Sequence, residues 1–245
     1  MSDLHIGAPV KGTGIPKAQA TEDAYSAIDQ LQEQLLCSEA EAVLCAGDVF
    51  DRHDASERAL ARAEDLFASF HEAGLPTLVI GGNHDVESPL TEQLHLPGSA
   101  RWVGRGPLGR DGSDTVLWHE MNIAVHGQGV RDRDELRDLG SGYPTPVSGM
   151  INIGLLHTSL TGEWSNRACA PTTVRALQEV QYDAWVLGHV HQPMVLSEAP
   201  LIAYPGSVHT HKAGEAGGEG YALLTLTPDA APSLEFRSLQ PQLQL

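Results

Sequence analysis

The sequence predicts an α/β fold built on parallel strands, and two observations point there. Short apolar runs alternate with stretches whose apolar residues recur at helical spacing, in the order strand, helix, strand, helix. Most of the apolar runs also stop at a cluster of Asp, Asn or His, and ligands of open α/β sheets bind at the carboxyl ends of the strands. A chain of 245 residues with 41% apolar content is long enough to bury a core as one large domain or two small ones.

Taken in order, Asp3-Leu4-His5-Ile6-Gly7 reads as a loop after a strand, yet only Met1 and Ser2 precede it. A strand of ordinary length needs about five residues, so the first strand is expected to be short or missing. Residues 8–20 are rich in Gly, Pro and Lys and read as a loop. Thr21 is expected to cap a helix in which Tyr25, Ile28, Leu31 and Leu35 share a face. Residues 42–46 form an apolar strand that stops at Gly47 and presents Asp48. Ser56 is expected to cap a second helix, with Leu60, Ala63, Phe67 and Phe70 inward and Gly74 as its stop. Residues 76–80 form a strand ending in Gly81-Gly82-Asn83-His84-Asp85.

The middle is less patterned. Residues 116–118 and 123–125 read as short strands, the second followed by His126-Gly127-Gln128. Residues 132–139 are charged and fit a surface helix or a loop, and residues 140–149 are a Gly/Pro/Ser loop. A strand over 151–156 then leads to His157. Pro171 is expected to open a helix, with Val174, Leu177 and Val180 inward. A strand over 184–187 leads to Gly188-His189-Val190-His191. Short strands at 194–196, 201–204, 221–227 and 234–236, separated by Pro and Gly, suggest an antiparallel second half.

Charge excludes one class. With 32 Asp+Glu against 15 Lys+Arg and a formal charge of −17, the chain lacks the basic stripe of a nucleic-acid-coating protein. A phosphate-handling enzyme stays open, because bound cations supply positive charge locally. Three cysteines, Cys37, Cys45 and Cys169, have no framework spacing, so a reducing, cytoplasmic compartment is expected. No apolar run approaches a membrane span, and the first residues lack a signal-peptide layout.

The chemistry concentrates in five clusters: Asp3 with His5, Asp48, Asn83 with His84, His157, and His189 with His191. Singly each is weak, since a lone histidine at a strand end is more often structural. Together, carboxylate, amide and imidazole donors without a thiolate suit Mn²⁺ or Fe²⁺, with Zn²⁺ as the alternative. One shared carboxylate can hold two ions about 3.5–4 Å apart, and Asp48 is the expected bridge.

The series Asp3-x-His5, Gly47-Asp48-x-x-Asp51, Gly82-Asn83-His84-Asp85, His157 and Gly188-His189-x-His191 resembles the calcineurin-like metallophosphoesterase superfamily. Within it, the chain is most similar to the SbcD/YhaO-type DNA repair exonucleases. That narrower likeness rests on Ala46-Gly47-Asp48-Val49-Phe50-Asp51, Val125-His126-Gly127-Gln128, Leu155-Leu156-His157-Thr158-Ser159, Leu187-Gly188-His189-Val190-His191 and Tyr204-Pro205-Gly206-Ser207. The resemblance implies a four-layer α/β/β/α sandwich. It implies one metal on Asp3, His5, Asp48 and His191, and a second on Asp48, Asn83, His157 and His189. A hydroxide shared by the two would attack the phosphodiester in line, with His84 assisting the leaving oxygen, and Asp85 either orients His84 or caps its own loop. DNA is the implied substrate, an SMC-like ATPase a possible partner, and a homodimer a possible assembly. Residues 1–245 are expected to form one catalytic domain without the C-terminal capping region such nucleases carry.

Some residues depart from that pattern. Where some members have a histidine, this chain has Asp51, with His53 two residues later. Where the branch usually carries an arginine, it has Val208-His209-Thr210-His211-Lys212. The H-x-H spacing of His209 and His211 carries no assigned role, and His126 is a candidate neighbour of the site. His71, His95 and His119 are expected on the surface or in packing. Lys11, Arg52, Arg167 and Lys212 lie beside the motifs and suit either a phosphate track or scattered surface charge. Two other readings stand beside the exonuclease: an esterase of nucleotides or other small phosphate esters, and a subunit inactive without its ATPase.

Overall fold

The computed structural model describes residues 1–12, 14–53, 56–104, 114–165, 167–212, 219–228 and 230–239. Two long helices come early, α1 (Lys17–Leu36) and α2 (Glu57–Glu72). Between and after them run three short parallel strands, β1 (Val43–Cys45), β2 (Thr77–Val79) and β3 (Ala100–Trp102), paired in that order. A six-stranded sheet follows, from β4 (Asp114–Trp118), β5 (Ile123–Gln128), β6 (Ile151–His157), β7 (Ala184–Gly188), β8 (Met194–Glu198) and β9 (Leu201–Tyr204). Its order is β4-β5-β6-β7-β9-β8, parallel through β5, β6, β7 and β9 and antiparallel at both edges. A short helix, α3 (Val174–Glu179), precedes β7, and a hairpin of β10 (Gly220–Thr227) and β11 (Ala230–Ser238) follows.

Strand alternation explains the layering. Successive side chains of a strand point to opposite faces. Val43, Cys45 and Val79 pack with Ile28 and Leu31 of α1 and Phe67 and Phe70 of α2 in one apolar cluster. The intervening Leu78, with Ile80 just past β2, meets Val125, Ile153 and Leu155 of the other sheet. On the far face of the six-stranded sheet, Leu156, Trp185 and Leu187 pack with Leu177 of α3. Three apolar seams therefore separate four layers, α/β/β/α. Phe67 and Phe70 are fully buried, each worth about 1.5–3 kcal/mol relative to exposure.

Helix ends follow local chemistry, with two shifts from the sequence expectation. Ser56 caps α2 by accepting from Ala59 N–H at 3.1 Å. At the other end Gly74 (φ 75°) turns the chain, so that Gly74 N–H bonds to His71 C=O and Leu75 N–H to Phe70 C=O. α1 begins at Lys17 rather than after Thr21, because Pro16 sets the entry and Thr21 Oγ1 donates back to Lys17 C=O from inside the helix. α3 begins after Thr173, which accepts from Ala176 N–H, and not at Pro171.

Other expectations are corrected. β3 is an additional strand that the sequence reading did not contain, and of the two alternatives for residues 132–139 the structure has the loop. The second half is only partly antiparallel, since β9 joins β7 in parallel. Residues 1–6 run alongside the tip of β1. Ala46 N–H bonds to Met1 C=O, Asp3 N–H to Gly47 C=O, His5 N–H to Asp48 C=O and Ile6 N–H to Val49 C=O. On its other side Ser2 bridges Ser207. The short first strand is thus an extended segment wedged between β1 and the loop after β9. No helix among the described residues is long and apolar enough to cross a membrane.

Candidate metal centre

The loops after β1, β2, β6 and β7 converge with residues 3–5 on one buried patch. The approach is close enough to dictate glycine at two strand ends. A Cβ on Gly188 would stand 2.0 Å from Ala46 O, and one on Gly82 would stand 2.2 Å from Asp48 Oδ1. The backbone is also unusual there. Asp3, His5, Asp48 and His189 have φ of 50°, 38°, 54° and 95°, a region non-glycine residues rarely occupy. Such conformations persist where the surroundings enforce them, and they cluster at functional sites.

All seven expected metal-binding side chains meet in this patch, in two groups that share Asp48. In the first, His5 Nε2 lies 3.6 Å from Asp48 Oδ2 and 4.0 Å from Asp3 Oδ1, and His191 Nε2 lies 3.9 Å from Asp3 Oδ1. Asp3 is held by His189 N–H, which faces both its oxygens at 3.1–3.2 Å. In the second group, His157 Nε2 lies 3.4 Å from Asp48 Oδ2 and 3.1 Å from Asn83 Oδ1. His189 Nδ1 lies 2.8 Å from the same Asn83 oxygen. Asp48 Oδ2 therefore touches both groups, while its Oδ1 accepts from His84 N–H at 2.8 Å.

The hydrogen bonds behind these rings settle which nitrogen points inward. Ala46 C=O can only accept, so His157 donates from Nδ1 at 2.8 Å and turns Nε2 to Asp48 and Asn83. His189 Nε2 lies 3.1 Å from Arg167 C=O, which leaves Nδ1 toward Asn83. This is how metal-ligating histidines are commonly oriented. Both ring nitrogens of His5 are buried and make no hydrogen bond among the described residues. Unmatched buried nitrogens beside carboxylates, with an amide oxygen and further imidazoles alongside, fit a divalent cation. The seven side chains offer hard and borderline donors, which fit an ion of the Mn²⁺, Fe²⁺ or Zn²⁺ kind. Cys169 Sγ also lies within 4.8 Å of a ring nitrogen of His157 and of His189, and burial pushes its thiol pKa up, which keeps it protonated.

The electrostatics agree. Burial alone would raise Asp48, but the His157 imidazole beside it outweighs burial and holds it well below the usual carboxylate range. Burial would lower His157, but Asp48 pushes it up to about 9. Burial, with His157 nearby, pulls His189 down to about 4. Asp3 is raised by burial.

His84 lies at the edge of the patch, its ring edge-on to His5 at 4.6 Å between centroids. The carboxylate beside it is Asp51 rather than Asp85. His84 Nδ1 lies 3.5 Å from Asp51 Oδ2. Asp85 turns the other way: its Oδ1 accepts from Phe50 N–H at 3.1 Å and its Oδ2 from Gly82 N–H at 2.9 Å. Asp85 is thus a clamp between the β1 and β2 loops, and burial with Asp48 nearby pushes it up to about 7. Burial would lower His84, but the Asp51 and Asp48 carboxylates outweigh it and raise its pKa.

A family profile described as calcineurin-like phosphoesterase matches residues 1–193. The chain belongs to that family. Membership implies a hydrolase of phosphate esters. This phosphoesterase is 27% identical over 240 residues to the uncharacterized metallophosphoesterase YhaO of Bacillus subtilis (strain 168), covering 92% of this chain and 56% of that protein. The chain therefore spans a little over half the length of that relative. Among solved structures it is similar to a dimetal phosphatase from Danio rerio, with 12% identity, 83% and 84% of the two chains covered and a TM-score of 0.50. It is also similar to the TT1561 protein of Thermus thermophilus, with 16% identity, 76% and 85% covered and a TM-score of 0.44.

Several other residues of the phosphoesterase are placed by the structure. His211, given no role from sequence, is buried against the site, 4.3 Å from the His5 ring and 4.6 Å from the His191 ring between centroids. Its H-x-H spacing after an apolar strand was the available signal. His209 Nε2 lies 3.1 Å from Leu4 C=O and fastens that loop to the Asp3–His5 segment. His53 is exposed, with Nε2 accepting from Arg52 Nε. His126 is buried away from the centre, bonded to Thr115 and Asn152 and stacked on Tyr182. Two of the basic residues beside the motifs are paired, Arg52 with Glu87 and Arg167 with Asp134. Lys11 and Lys212 sit side by side on an isolated bridge.

Proposed function

We propose that this chain is a two-metal phosphodiesterase that acts on DNA ends in repair. The observation that carries the two-metal part is the position of Asp48 Oδ2, 3.6 Å from His5 Nε2 and 3.4 Å from His157 Nε2. In this reading Asp3, His5, Asp48 and His191 hold one ion, and Asp48, Asn83, His157 and His189 the other. Mn²⁺ is the proposed ion, given donors without a thiolate. Two such ions supply charge that neutralises a phosphodiester and makes water more acidic. His84 is the proposed general acid. General-acid catalysis of this kind is worth about 10²- to 10⁴-fold in rate, and the Asp51 carboxylate 3.5 Å from the ring favours the protonated imidazole. Asp85 acts indirectly, by holding together the loops that carry Asp48 and Asn83.

The DNA part rests on the SbcD/YhaO-type motifs of the sequence. An SMC-like ATPase is the proposed partner, with a homodimer as the proposed assembly and the cytoplasm as the compartment, in keeping with three free cysteines. A second reading, hydrolysis of nucleotides or other small esters, is favoured by the formal charge of −17, because duplex binding depends on phosphate contacts.

The test is hydrolysis of linear duplex DNA, single-stranded DNA and bis-p-nitrophenyl phosphate in parallel, with Mn²⁺. Asp48→Ala is expected to lose both metal binding and activity, and His84→Ala only activity. A metal-loaded protein that hydrolyses the small diester and leaves DNA intact would overturn the nuclease reading.

A further inference from the structure

The imidazole of His211 has no role in that mechanism, yet it lies at the first metal group. One ligand-capable nitrogen from each of His5, His191 and His211 lies within 4.8 Å of the others. Nitrogens on one tetrahedral Zn²⁺ ion sit about 2.0–2.1 Å from it, hence about 3.3–3.4 Å apart. The three nitrogens need to close by at most about 1.5 Å to share an ion. The loop that carries His211 is fixed on several sides. Ser207 N–H bonds to His191 C=O at 3.0 Å, His209 Nε2 reaches Leu4 C=O, and Lys11 N–H bonds to His211 C=O at 2.9 Å. Packing several imidazoles together in a buried patch is unfavourable when any carries a proton. A shared cation turns the same crowding into coordination.

We propose that His211 is a third imidazole ligand of the ion held by His5 and His191, and that it biases this position toward a borderline divalent ion of the Zn²⁺ or Co²⁺ class. The inference rests on the two-metal reading above. The donor set of that position changes from two carboxylates with two imidazoles to two carboxylates with three imidazoles, and imidazole favours Zn²⁺ and Co²⁺ over Mn²⁺.

The experiment is equilibrium binding of Co²⁺ and Zn²⁺ to the whole chain, with the visible absorption of bound Co²⁺ as a second readout. His211→Gln is expected to weaken one of the two ions by at least the roughly 10–100-fold seen when a supporting partner of a ligand is lost. The Co²⁺ bands should change with it. His211→Asp should recover part of the affinity, because a carboxylate can ligate but cannot stack against His5. If His211→Gln does not fold, the wild-type Co²⁺ protein still decides the matter. Paramagnetically shifted ring N–H signals should include His211 besides His5, His157, His189 and His191. An unaltered Co²⁺ spectrum and unaltered affinities in His211→Gln, or no shifted His211 signal, overturn the inference. If Asp48→Ala then still loses both ions, the two-metal reading survives that failure. A wild-type chain that binds neither ion overturns both.

Discussion

Asp85→Asn separates a residue that builds the site from one that does chemistry in it. The carboxylate is buried and accepts from two buried backbone donors, Phe50 N–H and Gly82 N–H. An asparagine has one oxygen for those two donors, so its NH₂ must face the other N–H, donor to donor. Leaving one buried donor unmatched costs about 1–3 kcal/mol. For a chain of this size that lowers the melting temperature by roughly 2–12 °C, at about 2–4 °C per kcal/mol. The assay pairs thermal unfolding by circular dichroism with hydrolysis of bis-p-nitrophenyl phosphate at saturating Mn²⁺, well below the transition. The melting temperature should fall while the rate per folded, metal-loaded molecule stays close to wild type. A loss of roughly 100-fold or more in rate at an unchanged melting temperature would restore Asp85 to the catalytic group and refute the reasoning.

Asp51→Asn should behave in the opposite way. Loss of the carboxylate that faces His84 Nδ1 across 3.5 Å removes the charge favouring the protonated ring, and predicts a rate lower by roughly 10–100-fold with little change in melting temperature, read from the same two assays. Gly82→Ala places a Cβ 2.2 Å from Asp48 Oδ1 and 2.5 Å from Asp48 N, where backbone has to move. It should cost about 1–3 kcal/mol or more, as overpacking does, and abolish Mn²⁺ binding, checked by denaturant unfolding and calorimetry. Burial lowers the pKa of His126, so the unfolded chain takes up that proton more readily below about 6.5 and stability falls as pH drops through that value. His126→Gln should flatten that decline in the metal-free protein; equal slopes in both proteins would show that another group is responsible.

The metal centre was legible because each of its parts is a local event. A strand that ends at Gly47-Asp48, or at Gly188-His189, announces its side chain at the sheet's carboxyl edge whatever the rest of the chain does. The partner of His84 was not legible. Asp85 is its neighbour in sequence, but the turn closed by Val86 N–H to Gly82 C=O and Ser88 N–H to His84 C=O points successive side chains apart. Asp51 reaches the ring from another loop altogether. β3 escaped notice because Ala-Arg-Trp is three residues long and too short to show alternation. The role of residues 1–6 was half visible: the loop residues stood out, while the pairing that holds them comes from β1 and from Ser207, far along the chain.

That wedge of residues 1–6 sets a timetable for biosynthesis. Asp3 is gripped by His189, 186 residues later, and Leu4 is fastened by His209, 205 residues later. At about 5–20 residues per second, roughly 10–40 s separate the first ligands leaving the ribosome from the last segment that seats them. Throughout that interval the helices and the three-stranded sheet can form while the centre stays incomplete. A truncated or stalled chain therefore carries Asp3, His5 and Asp48 without the His189 and His209 segments that hold residues 3–5 in place.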